Sequence, residues 1–175
     1  MVVESHHLQA IRELFDIVEP TDSVTEGNIT TYLVMKVDAG TFKPSISHHV
    51  KKLNADDLDD VLKCTDEHYR DVIEKTIQRG IAYGAYEDEA LASVAAAPQI
   101  LDDLALIRGV YTRPSSRNKG LATSACSSLV DELIGLGKEA MLWVSKDNYP
   151  AIRVYEKLGF RKTKHVLLGF KARRR

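Results

Sequence analysis

The sequence predicts a mixed α/β domain in which helices lie between strands and a strand–helix–strand crossover follows an antiparallel hairpin. Three observations carry this. Apolar residues recur at helical spacing in some segments and as short β-branched or continuous runs in others. Asp88-Glu89 separates two strand-like runs, which is a hairpin signal. A third strand-like run, Leu104–Thr112, leads to a turn at Gly120, a long helical pattern and another short apolar run. At 175 residues the chain is one domain, or one domain with an appendage, and long enough to bury a core.

Taken in order, residues 6–18 form a short amphipathic helix candidate, with Leu8, Ile11, Leu14, Phe15 and Val18 at helical spacing. Pro20, Thr21, Asp22, Gly27 and Asn28 break the chain into a loop. Ile29–Val37 is β-branched and aromatic and reads as a strand. Gly40 and Pro44 mark a turn, so residues 1–44 read as an N-terminal extension (helix plus strand) and residues 45–175 as the main domain. A strand is expected over 45–53. Asn54 then caps a helix with Asp56 and Asp57 in its first turn and Leu58, Val61 and Leu62 as its stripe.

A second helix covers Glu67–Arg79 and stops at Gly80. Ile81–Glu87 and residues 91–97 form the hairpin, and 98–103 a loop before strand Leu104–Thr112. The helix over 121–136 would bury Leu121, Ala125, Leu129, Leu133 and Leu136. Residues 141–144 are continuously apolar, as in a strand buried on both faces. Pro150 suits a first helical position, Gly159 a helix stop, and Phe160 a residue packing back on the last turn. A last strand, 166–170, precedes the basic tail Arg173-Arg174-Arg175.

A net charge of -1 gives no general case for nucleic acid or an acidic membrane as partner. The charge is uneven, however: Arg108, Arg113, Arg117 and Lys119 cluster with no acid between Asp103 and Asp131. Cys64 and Cys126 match no zinc spacing and read as reduced, packed residues, Cys126 with a thiol open to modification. No apolar run approaches membrane-spanning length, and the N-terminus lacks a signal-peptide layout, so a cytoplasmic location is expected. His6-His7 and His48-His49 are not expected to bind metal, because strand neighbours point to opposite faces and no further ligand stands at suitable spacing.

The local cationic surplus coincides with Gly120 at a strand-to-helix turn. Glycine allows close backbone approach to a ligand, and a helix N-terminus offers free N–H donors and a positive dipole end. Residues 117–122 therefore suggest an anion site suited to a pyrophosphate. The phosphate-loop pattern G-x-x-x-x-G-K-[ST] and the dinucleotide pattern G-x-G-x-x-G are both absent. What stands instead is R-x-x-G-x-A at 117–122, then Asn148, Ala151, Tyr155, Gly159 and Phe160 in one later block.

This ordered pair of motifs resembles the GNAT superfamily of acetyl-CoA-dependent N-acetyltransferases, strongly over residues 104–170 and reasonably from Ser45. The run VYTRPSSRNKGLATS is most similar to the glycine N-acyltransferase-like branch. The resemblance implies the GNAT acyl-CoA N-acyltransferase fold, with a mixed central sheet flanked by helices. It implies that the strand before the loop splays from its neighbour, and that Val110, Tyr111 and Thr112 bind the pantetheine arm like an added strand. Arg117, Asn118, Lys119, Gly120, Leu121, Ala122 and Thr123 would form the pyrophosphate loop, through backbone N–H groups. Asn148 would contact the cofactor and Tyr155 would be the general acid, with acetyl-CoA as cosubstrate and no metal.

The residues leave alternatives open. Gly120 could be an ordinary turn glycine, Tyr155 a core tyrosine, and Asn148 a helix-starting residue. Some family members carry a glutamate base where Leu106 stands here. Glu87, Asp102 and Asp103 are the nearest acids in sequence, and a water relay serves equally well, so no base is assigned. The expected activity is transfer of an acetyl group to a primary amine of unspecified identity, without nucleic acid or membrane as partner. A non-catalytic CoA-binding module is the second reading. A homodimer through an open edge at Ile29–Val37 is a third expectation.

Overall fold

The computed structural model describes residues 2–4, 15–17, 29–170 and 172–174. Its centre is an eight-stranded sheet. The strands that form it are β1 (Val2–Glu4), β3 (Ile29–Val37), β4 (Val50–Lys52), β5 (Ile81–Glu87), β6 (Ala90–Ile100), β7 (Leu104–Thr112), β8 (Glu139–Ser145) and β9 (Arg161–Phe170). Their order across the sheet is β1-β9-β3-β8-β7-β6-β5-β4. Only β7 and β8 pair in parallel; the other neighbours are antiparallel. Strands β2 (Phe15–Ile17) and β10 (Ala172–Arg174) form a separate ribbon.

Among the described residues, four α-helices cover the sheet: α1 (Leu58–Cys64), α2 (Glu67–Arg79), α3 (Leu121–Gly135) and α4 (Tyr149–Lys157). Helices α3 and α4 bury Leu121, Leu129, Leu133, Ile152 and Leu158 against Met35, Ile107, Leu142 and Val144 on one face. Val61 and Ile73 of α1 and α2 pack on Ala82, Leu91 and Val94 on the other. Because β6 is covered on both faces, its alanines Ala92, Ala95, Ala96 and Ala97 are fully buried, and their small side chains admit helices from both sides.

Several local expectations hold. Asn54 makes a capping box with Asp57; Asp66, which the sequence reading did not single out, caps α2 by accepting from the Tyr69 N–H. The hairpin turn at Asp88 and Glu89 has both residues at positive φ, 49° and 62°, the twist a two-residue loop requires. The mixed sheet flanked by helices is as predicted.

The structure corrects others. Phe15–Ile17 is strand, not the end of a helix, because its backbone pairs with Ala172–Arg174; the rest of the expected helix lies outside the described residues. The strand expected over 45–53 is reduced to Val50–Lys52. Before it, the N–H groups of Ser45 and Ser47 donate to Ser127 Oγ and Ser124 Oγ of α3 instead of to a neighbouring strand. Ile29–Val37 is not an open edge: β8 and β9 satisfy it on both sides. A boundary after residue 44 thus falls between two strands of one sheet.

Residues 98–100 continue β6 instead of starting a loop, and β9 begins at Arg161, well before 166. Leu136 lies past the end of α3 and is exposed. In β8 only Ala140, Leu142 and Val144 are buried, because α1 and α2 cover β5 to β7 and leave the other side of Met141 and Trp143 partly open.

Gly159 ends α4 at φ 93°, and the Lys43 N–H donates to the Leu158 carbonyl beside it. A methyl group there would collide with the carbonyl oxygen of Thr41, a backbone atom that cannot swing aside. Gly159→Ala is therefore expected to destabilise the protein by about 2–4 kcal/mol, from the positive φ and the clash together. Thermal and urea unfolding measure this; a midpoint equal to that of the unmodified protein would refute it.

Candidate functional site

The parallel pairing of β7 with β8 covers Leu104 with Glu139, Ala105 with Ala140, and Leu106 with Met141, and then stops. Beyond that point β7 stays with β6 and β8 stays with β3. The two central strands thus diverge and leave facing backbone edges, into which an extended molecule could insert as an added strand. Just past the fork, Gly109 adopts φ 75° and forms a bulge, with Gly109 and Val110 together opposite Ala95. A side chain at Gly109 would meet Val72 Cγ1 at 2.8 Å, so the glycine also lets α2 pack closely. The sequence reading missed this residue, although a glycine inside a strand pattern is the usual sign of a bulge.

The bulge sets which backbone groups line the opening. The Tyr111 carbonyl accepts from Ser93 Oγ at 2.9 Å, and the Arg113 N–H donates to the Ala92 carbonyl at 3.0 Å. Both therefore face β6. Strand alternation turns Thr112 the other way, where its carbonyl accepts from Arg117 Nε at 3.2 Å and its N–H lies on the side of the opening. Of the three expected pantetheine contacts, Tyr111 offers its side chain, whose ring packs against Tyr69 at 5.2 Å between centroids. The buried Ser93 also bonds Thr112 Oγ at 2.8 Å and fixes this end of β7.

β7 runs into the turn before α3. Gly120 is the N-cap at φ 89°, and Asn118 also has positive φ, 63°. The first bond of the helix is from the Ser124 N–H to the Gly120 carbonyl at 3.0 Å. The N–H groups of Leu121, Ala122 and Thr123 are thus the first-turn donors that a helix leaves without internal acceptors. The N-cap has no side chain to satisfy them. This is the arrangement that accommodates an anion. Arg117 turns its side chain back, Nε donating to the Thr112 carbonyl at 3.2 Å, so its guanidinium braces the turn. Lys119 Nζ is 2.7 Å from Glu87 Oε1.

Asn148 caps α4 with its carboxamide oxygen, which accepts from the Ala151 N–H at 3.3 Å. The helix-starting role is thus real, and the remaining NH₂ group is the part a ligand could meet. Tyr155 lies on α4, is 7% exposed, and stacks on Phe160 at 5.6 Å between centroids. Burial, with smaller contributions from the Cys126 thiol and the Tyr69 hydroxyl, holds its phenol well above the ordinary range. It is therefore a core residue whose phenol stays protonated at neutral pH and is a weaker acid than a free tyrosine. Cys126 is buried, its thiol pushed up to about 12 by burial alone, which removes the suggestion that it is open to modification.

Leu106 is buried at the fork, where it carries no acid–base function. None of the three nearby acids reaches the fork. Glu87 is engaged by Lys119 and Ser116 at the turn. Asp102 and Asp103 lie at the start of β7, where their carbonyls accept from Lys138 Nζ and the Glu139 N–H. The face of the fork away from α3 carries Arg108, whose guanidinium sits 5.1 Å over the Trp143 ring, with Tyr69 and Tyr111 nearby. The sequence reading counted Arg108 only as charge and did not single out Trp143 or Tyr69.

The two described histidines of the His48-His49 pair diverge. His48 Nδ1 lies 3.2 Å from Ser124 Oγ beside Gly120, and His49 stacks on Tyr86 at 5.4 Å. Among the described residues no group of three or more potential ligands surrounds a metal position. No helix among them is long and apolar enough to cross a membrane.

Residues 82–168 match the family model described as FR47-like protein. No curated protein matches the chain. Among solved structures, one from Novosphingobium aromaticivorans, assigned to the GNAT family of acetyltransferases, is 26% identical with a TM-score of 0.65, over 82% of this chain and 66% of that one. A GNAT-family acetyltransferase from Colwellia psychrerythraea is 14% identical with a TM-score of 0.68, over 97% of this chain and 64% of that one. The PaiA N-acetyltransferase from Thermoplasma acidophilum, solved with coenzyme A, is 17% identical with a TM-score of 0.56, over 72% of this chain and 100% of that one. This chain spans less than two thirds of the first two proteins. The fold is that of the GNAT acetyltransferases, and the matches support placement in that superfamily.

Proposed function

We propose, taking the GNAT acetyltransferase fold as premise, that this chain transfers the acetyl group of acetyl-CoA to a primary amine in a direct ternary complex. The observation that carries the reading is the opening between β7 and β8 beside the uncapped first turn of α3. An extended pantetheine arm fits the first and a pyrophosphate the second. Val110, Thr112, the turn from Arg117 to Thr123 and Asn148 would hold the cosubstrate. The run over residues 110–124 supports a place in the glycine N-acyltransferase-like branch, and a cytoplasmic setting suits the cosubstrate.

Bound this way, the thioester lies near the fork, and the N–H at Val110 can polarise its carbonyl. The neutral amine attacks that carbon, a C–N bond forms and the C–S bond breaks. Tyr155 would give its proton to the departing thiolate and regain one from solvent, while the new amide nitrogen loses one to water, since no carboxylate among the described residues stands at the fork.

The test is CoA release with a panel of primary amines, alongside thermal unfolding with acetyl-CoA. At about 100 times Kd the cosubstrate should stabilise the fold by about 2.7 kcal/mol. Stabilisation without turnover on any amine would favour the non-catalytic module, for which the buried leucine at position 106 speaks. No stabilisation would remove acyl-CoA binding altogether.

A further inference from the structure

We infer that Glu87 is a positioning residue for the phosphate loop: from the end of β5 it clamps the turn before α3 and so sets the aim of the loop's N–H donors. The inference rests on the reading that this loop holds acyl-CoA. Both carboxylate oxygens are committed to the same turn. Oε2 accepts from Ser116 Oγ at 2.7 Å, and Oε1 accepts from Lys119 Nζ at 2.7 Å. Ser116 is 1% exposed, so the first bond is sheltered, while the second is open to water.

The turn needs such support. Asn118 holds positive φ two residues before Gly120, and for a residue other than glycine that conformation costs energy that the surroundings must offset. Lys119, the residue between them, is one of the two that Glu87 grips, and Ser116 is the buried residue one turn earlier. The clamp bridges 29 and 32 residues of sequence, joining the β5–β6 hairpin to the β7–α3 turn. The Lys119 ammonium first, then the Ser116 hydroxyl and the Arg113 guanidinium, hold the Glu87 carboxyl below the usual range, so it is ionised at neutral pH. Its hairpin neighbours Asp88 and Glu89 are exposed and make no bond to the turn among the described residues.

The opposite geometry-based role is that Glu87 masks Lys119 from the cofactor. The two roles predict opposite signs. If Glu87 positions the loop, Glu87→Ala weakens CoA binding about tenfold, the scale of losing charge-assisted bonds. Glu87→Gln, whose amide oxygen still accepts from Ser116, weakens it less. Lys119→Met leaves the Ser116 arm in place and also costs less than Glu87→Ala.

Calorimetric titration of CoA into the full chain and these variants reads the effect. Hydrogen exchange of amides 116–123 without ligand reads the clamp itself and should be faster in Glu87→Ala. In steady state the loss should fall on KM for acetyl-CoA and not on KM for the amine. Unchanged or tighter CoA binding in Glu87→Ala would overturn the inference, as would an equal rise in both KM values, which marks general destabilisation. If the unmodified protein binds no CoA, the acyl-CoA reading fails instead, and unchanged exchange over 116–123 would separately remove the clamp.

Discussion

Tyr155→Phe should lower kcat about 100-fold while leaving the KM for acetyl-CoA within about twofold, the range expected for loss of a general acid. The substitution removes only the hydroxyl. The ring keeps its place in the core against Phe160, so the change is close to neutral in packing. Burial favours the neutral phenol, so its ionisation lies above the ordinary value of about 10. The sign follows: the group is protonated throughout the working range and could lose its donor role only at more alkaline pH than a free tyrosine. The acid limb of the wild-type rate profile therefore belongs to the amine, and Tyr155→Phe should scale the profile down without moving that limb. A kcat unchanged within twofold would leave Tyr155 as a core tyrosine alone.

The second large effect is expected at Gly120. Gly120→Val places a β-branched side chain at φ 89°, where such residues are outliers. Its Cβ would stand 3.4 Å from His48 Cε1 and 3.6 Å from Ser47 Oγ, so the further methyl groups have no room on that side. The turn must shift, and the first-turn N–H groups of α3 shift with it. The expected result is a rise of at least about tenfold in the KM for acetyl-CoA, the scale of losing one hydrogen bond to a charged group, about 1.5 kcal/mol. Calorimetry with CoA measures it directly. Retained affinity would show that the turn glycine serves the fold and not the ligand.

The two substitutions separate the two roles proposed for the site. Gly120 shapes a backbone surface, whereas Tyr155 would present one atom from the buried face of α4. Loss of binding with an intact chemical step at position 120, against loss of the chemical step with intact binding at position 155, is the pattern the geometry requires.

Much of this was legible in the chain because its signals are local. The bounds of β7 and the start of α3 follow from a strand pattern, a glycine and a periodic apolar stripe. The cap at Asn54 follows from a side chain that bonds within three residues of itself. Errors fell where a segment's partner is remote. Phe15–Ile17 has helical spacing yet pairs with the far end of the chain, and residues 45–47 look like strand yet give their N–H groups to the serines of α3.

The site divides in the same way. Sequence alone placed the glycine turn before α3, the asparagine that caps α4 and the tyrosine on that helix, because motif spacing along one chain fixes each on its own element. Only the tertiary structure decided where β7 parts from β8, that the Tyr111 carbonyl accepts from Ser93 of β6, and that the Glu87 carboxylate is bonded to Ser116 and Lys119 of the turn. Those facts depend on a bulge at Gly109 and on bonds between segments tens of residues apart. The physical reason is that backbone alternation and carboxylate reach are properties of neighbouring strands and loops in space, and no pattern within a single segment encodes which neighbour it will meet.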